Sequence, residues 1–457
     1  MPSPAASENK MGVMPVKKLV ISMSWPIMVS MLVQALYNIV DSIFVTKISE
    51  GALTAVSMAF PIQFLMIAIG AGLGVGVNAM LSKALGEKNY KKVNSAAMHG
   101  LFLSICNFII FFIVGIFLVK PFYAVQINDT VIIAYGTEYL TVVCCMSIGF
   151  FFQMISERLL LSTGKTALAM FVQILGAVFN IIMDPILIFG WFGFPEMGVR
   201  GAALATVLGQ TFAAFVGIII NIKINGEIHF SIKKFKPSTD DIFSIYKVGL
   251  PSTIMQAIGS LMNFTMNNIL VGFSSTAVAV FGVYFKLQSF ILLPVIGLNN
   301  GIIPIIAYNY GARKRSRIIQ TIKFSSVITA LILVIGTLLF ETFPKVLLSL
   351  FDVSDTMMDM GVPALRIIAL HFPLAAFSII FISTFQALSK AVYSMVISIC
   401  RQLVVLLPAA WILAKVTKDV NAVWFSFLIA EVVSFALAIG FMVITYRIII
   451  KNIPDNK

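Results

Sequence analysis

The chain has 457 residues, of which 59% are hydrophobic and only 11% are charged. Soluble domains carry ~25% charged residues, so this composition excludes an ordinary soluble protein and predicts an integral membrane protein. The net charge of +13 comes from clusters of Lys and Arg that recur on one side of the predicted spans, which is a topology signal and does not indicate nucleic-acid binding. The four cysteines have no metal-ligand spacing with His, so we expect neither a zinc site nor a disulfide framework.

Twelve apolar segments are long enough to cross a bilayer, which requires ~20 helical residues. They lie near 19–46, 52–81, 93–119, 132–161, 166–190, 199–222, 243–272, 277–306, 318–340, 361–389, 392–414 and 421–446. We therefore predict an all-α membrane fold with an N-terminal tail (1–18), an N-terminal lobe (19–222), a polar linker (223–242), a C-terminal lobe (243–446) and a C-terminal tail (447–457). The positive-inside rule places both tails and the linker in the cytoplasm.

The two predicted lobes repeat each other. Pro251 follows Pro26 by 225 residues, and the same spacing relates many other residues of the two halves. It pairs Asn38 with Asn263, Gln63 with Gln288, Gly72 with Gly297 and Lys165 with Lys390. Six spans in each half imply parallel, pseudo-symmetric six-helix bundles, and we expect the substrate to bind between them.

Two aspartates lie inside predicted spans of the N-terminal lobe. Asp41 is in span one, three residues after Asn38, and Asp184 is in span five, four residues after Asn180. A carboxylate inside a span is costly and marks an ion or proton path by default. Both lie roughly 8–9 Å below the outer membrane edge at ~1.5 Å per residue, so they can share H⁺ or Na⁺ if the two helices pack together. Hydrogen bonding that serves only packing is the alternative.

Further polar and flexible side chains are candidates for a substrate cavity. Glu157, in span four, lies nearer the cytoplasmic end and has either a substrate or relay role or a structural one. Methionine and aromatic side chains suit varied hydrophobic ligands. The cavity candidates besides Glu157 are Gln34, Phe60, Met66, Phe150, Met154, Met255 and Met262. In the C-terminal lobe, Lys286, His371 and Arg401 lie within spans, and Arg401 is expected to pair with Glu431.

Several segments resemble the MATE (multidrug and toxic compound extrusion) transporters. They are LVQALYNIVDSIFV, GLGVGVNAMLSKALGEKNYKK, LGAVFNIIMDPILIFG and GVRGAALATVLGQ, and the last two are similar to the MepA-type exporters within the family. The resemblance implies two six-helix bundles that open alternately to each side. It also implies export of organic cations driven by protons or sodium.

The resemblance implies a cation site as well, like that of DinF-like members. Its residues would be Asp41, Asn180 and Asp184, with Tyr37 and Tyr139 as neighbours. The three would act as metal ligands only if the coupling ion is Na⁺. Ala202 and Ala203 occupy the region of the family's span-six threonine, and Thr206 follows about one turn later.

These observations predict an antiporter of the cell membrane that exports lipophilic, mostly cationic drugs by alternating access. We expect a monomer in the bilayer, with H⁺ or Na⁺ as coupling ion and no cofactor. The alternative is a flippase or exporter of a lipid-linked or anionic metabolite, bound by Lys286 and Arg401. A membrane enzyme is disfavoured because the sequence has no evident nucleophile–base pair. A passive channel is a further alternative.

Overall fold

A computed structural model describes residues 8–231, 233, 235–351 and 353–454. Lys234, Lys457 and residues 1–7 of the predicted tails and linker lie outside the described residues. The described part consists of helices joined by turns and short loops and contains no β-strand. The predicted all-α fold is confirmed.

The helices are numbered in chain order over the described residues. They are α1 Lys10–Val13, α2 Val16–Thr46, α3 Glu50–Met58, α4 Phe60–Gly86, α5 Tyr90–Phe117, α6 Val119–Gln126, α7 Thr130–Cys145, α8 Ile148–Ser162, α9 Thr166–Phe189, α10 Gly198–Lys223, α11 Thr239–Val271, α12 Ser275–Gly311, α13 Arg315–Thr342, α14 Pro344–Ser349, α15 Asp355–Ala369, α16 Phe372–Ala387, α17 Ala391–Ile399, α18 Leu407–Thr417 and α19 Val420–Thr445. π-Helical segments at Cys400–Leu406 and Tyr446–Ile450 continue α17 into α18 and extend α19.

Every predicted span coincides with a helix or a pair of helices. Nine helices of the described chain are long and apolar enough to cross a membrane, and two bent pairs raise the number to 11. These pairs are α7 with α8, bent by 47°, and α15 with α16, bent by 49°. The remaining predicted span is α11, a helix of 33 residues. Polar residues such as Gln256, Asn263 and Asn267 keep its hydropathy below that of the others.

The internal repeat of the sequence is a repeat of helices. Four pairs of helices begin 225 residues apart, the spacing that relates Pro26 to Pro251. The paired first residues are Glu50 and Ser275, Tyr90 and Arg315, Thr130 and Asp355, and Thr166 and Ala391. The two halves therefore share one order of helices.

The chain divides into two compact units. One is Trp25–Leu250, and the other is Met1–Ser24 together with Pro251–Lys457. The divisions fall beside Pro26 and Pro251, inside α2 and α11. The sequence prediction instead placed the lobes on either side of the polar linker.

The N-terminal segment is packed within the second unit. Met11 is fully buried. The Arg317 guanidinium Nη2 donates to the carbonyls of Met11 and Met14, at 3.0 and 2.7 Å. The Asn309 amide also donates to the Met11 carbonyl, at 3.0 Å. These bonds attach the described part of the predicted tail to α12 and α13.

The polar linker is held against α5 within the first unit. The backbone N–H of Ser238 donates to Nε2 of His99 at 2.8 Å, and that of His229 donates to the Asn94 side chain at 2.7 Å. The rings of His99 and Phe235 meet edge to face, with centroids 5.0 Å apart. The linker therefore follows a defined path along the helix.

Candidate cation and substrate site

Two neighbouring cavities lie inside the first unit. The larger has a volume of about 380 Å³ and the smaller a volume of about 110 Å³. Residues of α2, α8 and α10 form a wall common to both. These residues are Gln34, Tyr37, Phe150, Met154, Thr206 and Gln210. A ligand in one cavity therefore touches side chains that also border the other.

The two predicted aspartates lie close together beside these cavities. Asp41 lines the larger cavity, and Asp184 is fully buried. The two carboxyl groups are within electrostatic range of each other and of Tyr37. Oδ1 of Asp41 and both carboxyl oxygens of Asp184 are buried without a hydrogen-bond partner among the described residues. Burying such oxygens is costly unless protons or a cation satisfy them.

Asn180 and Thr206 bring a further oxygen to this region. Asn180 is 3% exposed. Its Nδ2 donates to the Thr206 hydroxyl at 3.5 Å, and that hydroxyl donates to the Ala202 carbonyl at 3.1 Å. Oδ1 of Asn180 is buried and has no hydrogen-bond partner in the described part of the chain. Since Asn180 and Asp184 are four residues apart on α9, they share a helix face.

Close packing of α9 against α10 positions these groups. A Cβ added at Gly209 would lie 3.0 Å from the Cβ of Asn180 and 2.9 Å from the carbonyl oxygen of Gly176. A Cβ at Gly201 would lie 2.4 Å from the Leu187 carbonyl oxygen. Small residues let membrane helices approach closely. The glycines of GVRGAALATVLGQ therefore determine how near Thr206 lies to Asn180.

The predicted neighbours of the cation site border the larger cavity. Tyr139 is buried, and its hydroxyl accepts a hydrogen bond from Nε2 of Gln63 at 3.2 Å. Tyr37 lines both cavities, while Asn38 is exposed and lines the larger one. Gln63 was noted in the repeat but was given no role from the sequence.

The smaller cavity is bordered by amide side chains that sequence reasoning missed. Oε1 of Glu157 accepts a hydrogen bond from Gln153 at 2.9 Å. Oε1 of Gln34 accepts one from Gln173 at 3.1 Å. Arg158 lines the same cavity as Glu157. The one available signal was a glutamine inside an otherwise apolar span, and this signal does not specify the face on which a side chain lies.

The apolar cavity candidates are distributed unevenly. Phe60 and Met66 line the larger cavity of the first unit. Met262 lines a separate cavity in the second unit, and Met255 lines none of the three. The first unit therefore combines the predicted cation residues with most of the predicted substrate contacts.

The charged candidates of the second unit are divided between a cavity and the surface. Arg401 and His371 line a cavity of about 140 Å³. Nη1 of Arg401 lies 3.4 Å from Oε2 of Glu431, so the predicted ion pair is confirmed. Lys286 is exposed, and its Nζ lies 5.9 Å from the ring centroid of Phe351. The two cations of the anion-binding alternative therefore do not both border this cavity.

The donor set beside the larger cavity fits a proton or a small hard cation. It offers carboxyl oxygens of Asp41 and Asp184 and an amide oxygen of Asn180, which are ligands that hard cations prefer. Among the described residues, no three His, Cys, Asp or Glu side chains form a group that could hold a metal ion. A sodium ion at this site would therefore depend on the amide as well as on the two carboxyl groups.

Comparison with known proteins identifies the family. The family model described as MatE matches residues 26–186 and 251–412, and both matched stretches begin at or next to a repeat proline. The chain belongs to the MatE family. The membership confirms the predicted membrane transporter, and members of this family are transporters rather than enzymes.

Curated relatives and solved structures extend over nearly the whole chain. The Multidrug export protein MepA of Staphylococcus aureus (strain MRSA252) is 26% identical over 418 residues, which is 91% of each chain. That of Staphylococcus haemolyticus (strain JCSC1435) is 26% identical over 431 residues, or 94% of each chain. A multidrug resistance MATE family transporter in an outward-facing conformation and a MOP superfamily transporter from Pyrococcus furiosus each align with a TM-score of 0.90 at 24% identity, covering 98% of this chain and 100% of theirs. These two structures share its fold.

Proposed function

We propose that this MatE-family protein is an antiporter that exports lipophilic, mostly cationic drug-like compounds across the cell membrane by alternating access. Protons or Na⁺ bound at Asp41, Asp184 and Asn180 drive the export. The protein acts as a monomer with both termini in the cytoplasm. The relatives named multidrug export proteins support the substrate class. The observation that carries the coupling proposal is the set of buried Asp41, Asp184 and Asn180 oxygens without hydrogen-bond donors among the described residues.

Coupling follows from the shared wall of the two cavities. Tyr37 and Thr206 border both cavities, and Thr206 also holds the Asn180 amide. Binding of a cation at the carboxyl groups shifts these side chains and changes the space left for a substrate. A drug that occupies the larger cavity in turn faces the charge of Asp41. Substrate and coupling ion therefore bind in competition.

The energetics of this exchange are adequate. One elementary charge that crosses a membrane potential of 100 mV releases ~2.3 kcal/mol. A tenfold change in substrate affinity requires ~1.4 kcal/mol. One coupling cation per cycle is thus sufficient to switch the substrate from binding to release.

The experiment measures export of a fluorescent cationic dye from proteoliposomes with an imposed pH or sodium gradient. Asp41→Asn and Asp184→Asn each keep the size of the side chain but remove the charge that binds the cation. We expect both variants to lose gradient-driven export. Asp359→Asn changes an exposed carboxylate of α15 and serves as the control, with export unchanged.

The same assay separates the two coupling ions. Export driven by the sodium gradient at constant pH identifies Na⁺, whereas export driven only by the pH gradient identifies H⁺. Wild-type rates in both aspartate variants, with the protein folded in the vesicles, would contradict the proposal.

A further inference from the structure

The cavity of the second unit has one apolar side and one polar side. Its volume is about 140 Å³, close to that of a dry apolar cavity of ~150 Å³ that holds one benzene molecule. The apolar side consists of Met262, Phe281, Phe285, Leu292, Phe372 and Phe427. The polar side consists of Tyr284, Gln288, His371, Arg401, Gln402 and Glu431. A six-membered ring therefore fits against the apolar side with polar substituents turned to the other.

The ion pair on the polar side is incompletely satisfied. Glu431 is 1% exposed, and only its Oε2 faces Arg401, at 3.4 Å. This separation is longer than the ~2.7–2.9 Å of a strong charge-assisted hydrogen bond. Oε1 of Glu431 is buried without a hydrogen-bond partner in the described chain. Arg401 uses one of its N–H groups on Glu431, and a guanidinium has five such donors.

The charges that face this cavity sum to zero. His371 places Nδ1 at 2.6 Å from the Ile368 carbonyl oxygen, so Nδ1 donates and the neutral ring presents Nε2 as an acceptor. Its ring also stacks on Phe427, with centroids 5.9 Å apart. The negative charge of Glu431 is then matched by the positive charge of Arg401. A ligand with a net charge would disturb this balance and leave a buried ion uncompensated, which is strongly unfavourable.

The local backbone is irregular where these residues enter the cavity. Arg401, Gln402 and Leu406 lie on the π-helical segment Cys400–Leu406 and all line the cavity. π-Helical turns inside α-helices are rare and occur frequently at functional sites.

The charges are specific to the second half of the repeat. When α10 is aligned with α19 by the matching dipeptides Gly198–Val199 and Asp419–Val420, Glu431 falls opposite Gln210. Gln210 lines both cavities of the first unit. The same place in the fold thus borders a cavity in each unit but carries a charge in only one of them.

We propose that the cavity of the second unit binds a small zwitterion with a ring-sized apolar body. The ligand's ammonium group donates to Oε1 of Glu431, and its carboxylate accepts from the N–H groups of Arg401 that do not face Glu431. The ring packs against the phenylalanines. Such a ligand satisfies both ions without adding net charge, whereas a simple cation or anion satisfies one and leaves the other with a weakened partner.

The test compares three probes that have the same carbon skeleton. L-Phenylalanine carries both charges, 2-phenylethylamine lacks the carboxylate, and 3-phenylpropanoate lacks the ammonium group. Binding to the full-length protein in nanodiscs is measured by calorimetry. We expect phenylalanine to bind at least roughly tenfold more tightly than either analogue, because each loses one hydrogen bond to a charged group. Absence of phenylalanine binding, or equal binding of an analogue, would overturn the proposal.

Two variants test the roles of the ions by a change in rank order, which a misfolded protein cannot produce. Glu431→Gln leaves the charge of Arg401 unmatched, so 3-phenylpropanoate becomes the tightest of the three probes. Arg401→Gln leaves Glu431 unmatched, so 2-phenylethylamine becomes the tightest. An unchanged rank order in both variants would refute the assignment.

Asp41→Asn separates this site from the proposed transport function. Asp41 lies in the first unit and does not line the zwitterion cavity. Phenylalanine affinity should therefore remain that of the wild type in this variant even though dye export is lost. A loss of phenylalanine affinity in Asp41→Asn would place the probe in the first unit and overturn the proposed site.

Discussion

Asn180 and Thr206 are joined across α9 and α10 by a hydrogen bond of 3.5 Å from the amide nitrogen to the hydroxyl oxygen. The bond fixes the orientation of the amide, so that its nitrogen faces Thr206 and its oxygen remains available. The hydroxyl is itself held by the Ala202 carbonyl. Thr206 thus orients a cation ligand although it lies one turn after the position expected from the family resemblance.

Removing the Thr206 hydroxyl should weaken the cation site. Thr206→Val retains the shape of the side chain but cannot accept from Asn180, so the amide loses its fixed orientation. We expect the cation concentration for half-maximal dye export to rise roughly tenfold, the loss of about one hydrogen bond. Thr206→Ser keeps the hydroxyl and should behave like the wild type. Equal cation dependence in the valine and serine variants would show that the hydroxyl has no part in coupling.

Adding a methyl group at Gly209 should separate α9 from α10. The new Cβ would lie 2.9 Å from a backbone oxygen and 3.0 Å from the Cβ of Asn180, and neither atom can move without its helix. We predict that Gly209→Ala loses export while it still inserts into the membrane. In Gly282→Ala the new Cβ meets nothing within 4 Å. This control gains up to about 1 kcal/mol of helix propensity and retains export. Full activity of Gly209→Ala would mean that the helix spacing is unimportant.

Replacing His99 should release the linker. His99→Phe keeps the ring contact with Phe235 but removes the acceptor for the Ser238 N–H. The amides of residues 228–238 should then exchange hydrogen faster, as measured by mass spectrometry. His229 is exposed and bonds Asn94 through its backbone, so His229→Phe should leave exchange unchanged. Protection of the linker in His99→Phe equal to that in the wild type would contradict this prediction.

Neutralising Arg317 should destabilise the N-terminal segment. Its guanidinium donates to two carbonyls of this segment and to the Asn309 side chain. We expect Arg317→Gln to lower the free energy of unfolding by about 1–3 kcal/mol, the penalty for leaving such groups unsatisfied. Lys323→Gln removes an exposed charge on the same helix and should change the stability little. Denaturant unfolding in detergent measures both variants. Equal stability of the two would contradict the assigned role.

Much of the candidate site could be predicted from the sequence because charge inside an apolar span is conspicuous. Asp41 and Asp184 are identified by their cost in lipid, and Asn180 by its position one turn before Asp184. The glutamines at 153 and 173 could not be identified in this way. A neutral amide is tolerated on any face of a buried helix, so its role depends on which helices lie beside it.

The sequence by itself determined the helical membrane fold, the repeat of 225 residues and the acids of the first half. Span length, the cost of a carboxylate in lipid and a fixed spacing are properties of the chain that do not depend on its folded path. Only the tertiary structure decided that residues before Pro26 belong with the second unit, that Thr206 orients Asn180, and that Glu431 keeps an unpartnered oxygen beside Arg401 in the described chain. Each of these depends on side chains far apart in sequence that are brought within hydrogen-bonding distance by helix packing, which local patterns do not encode.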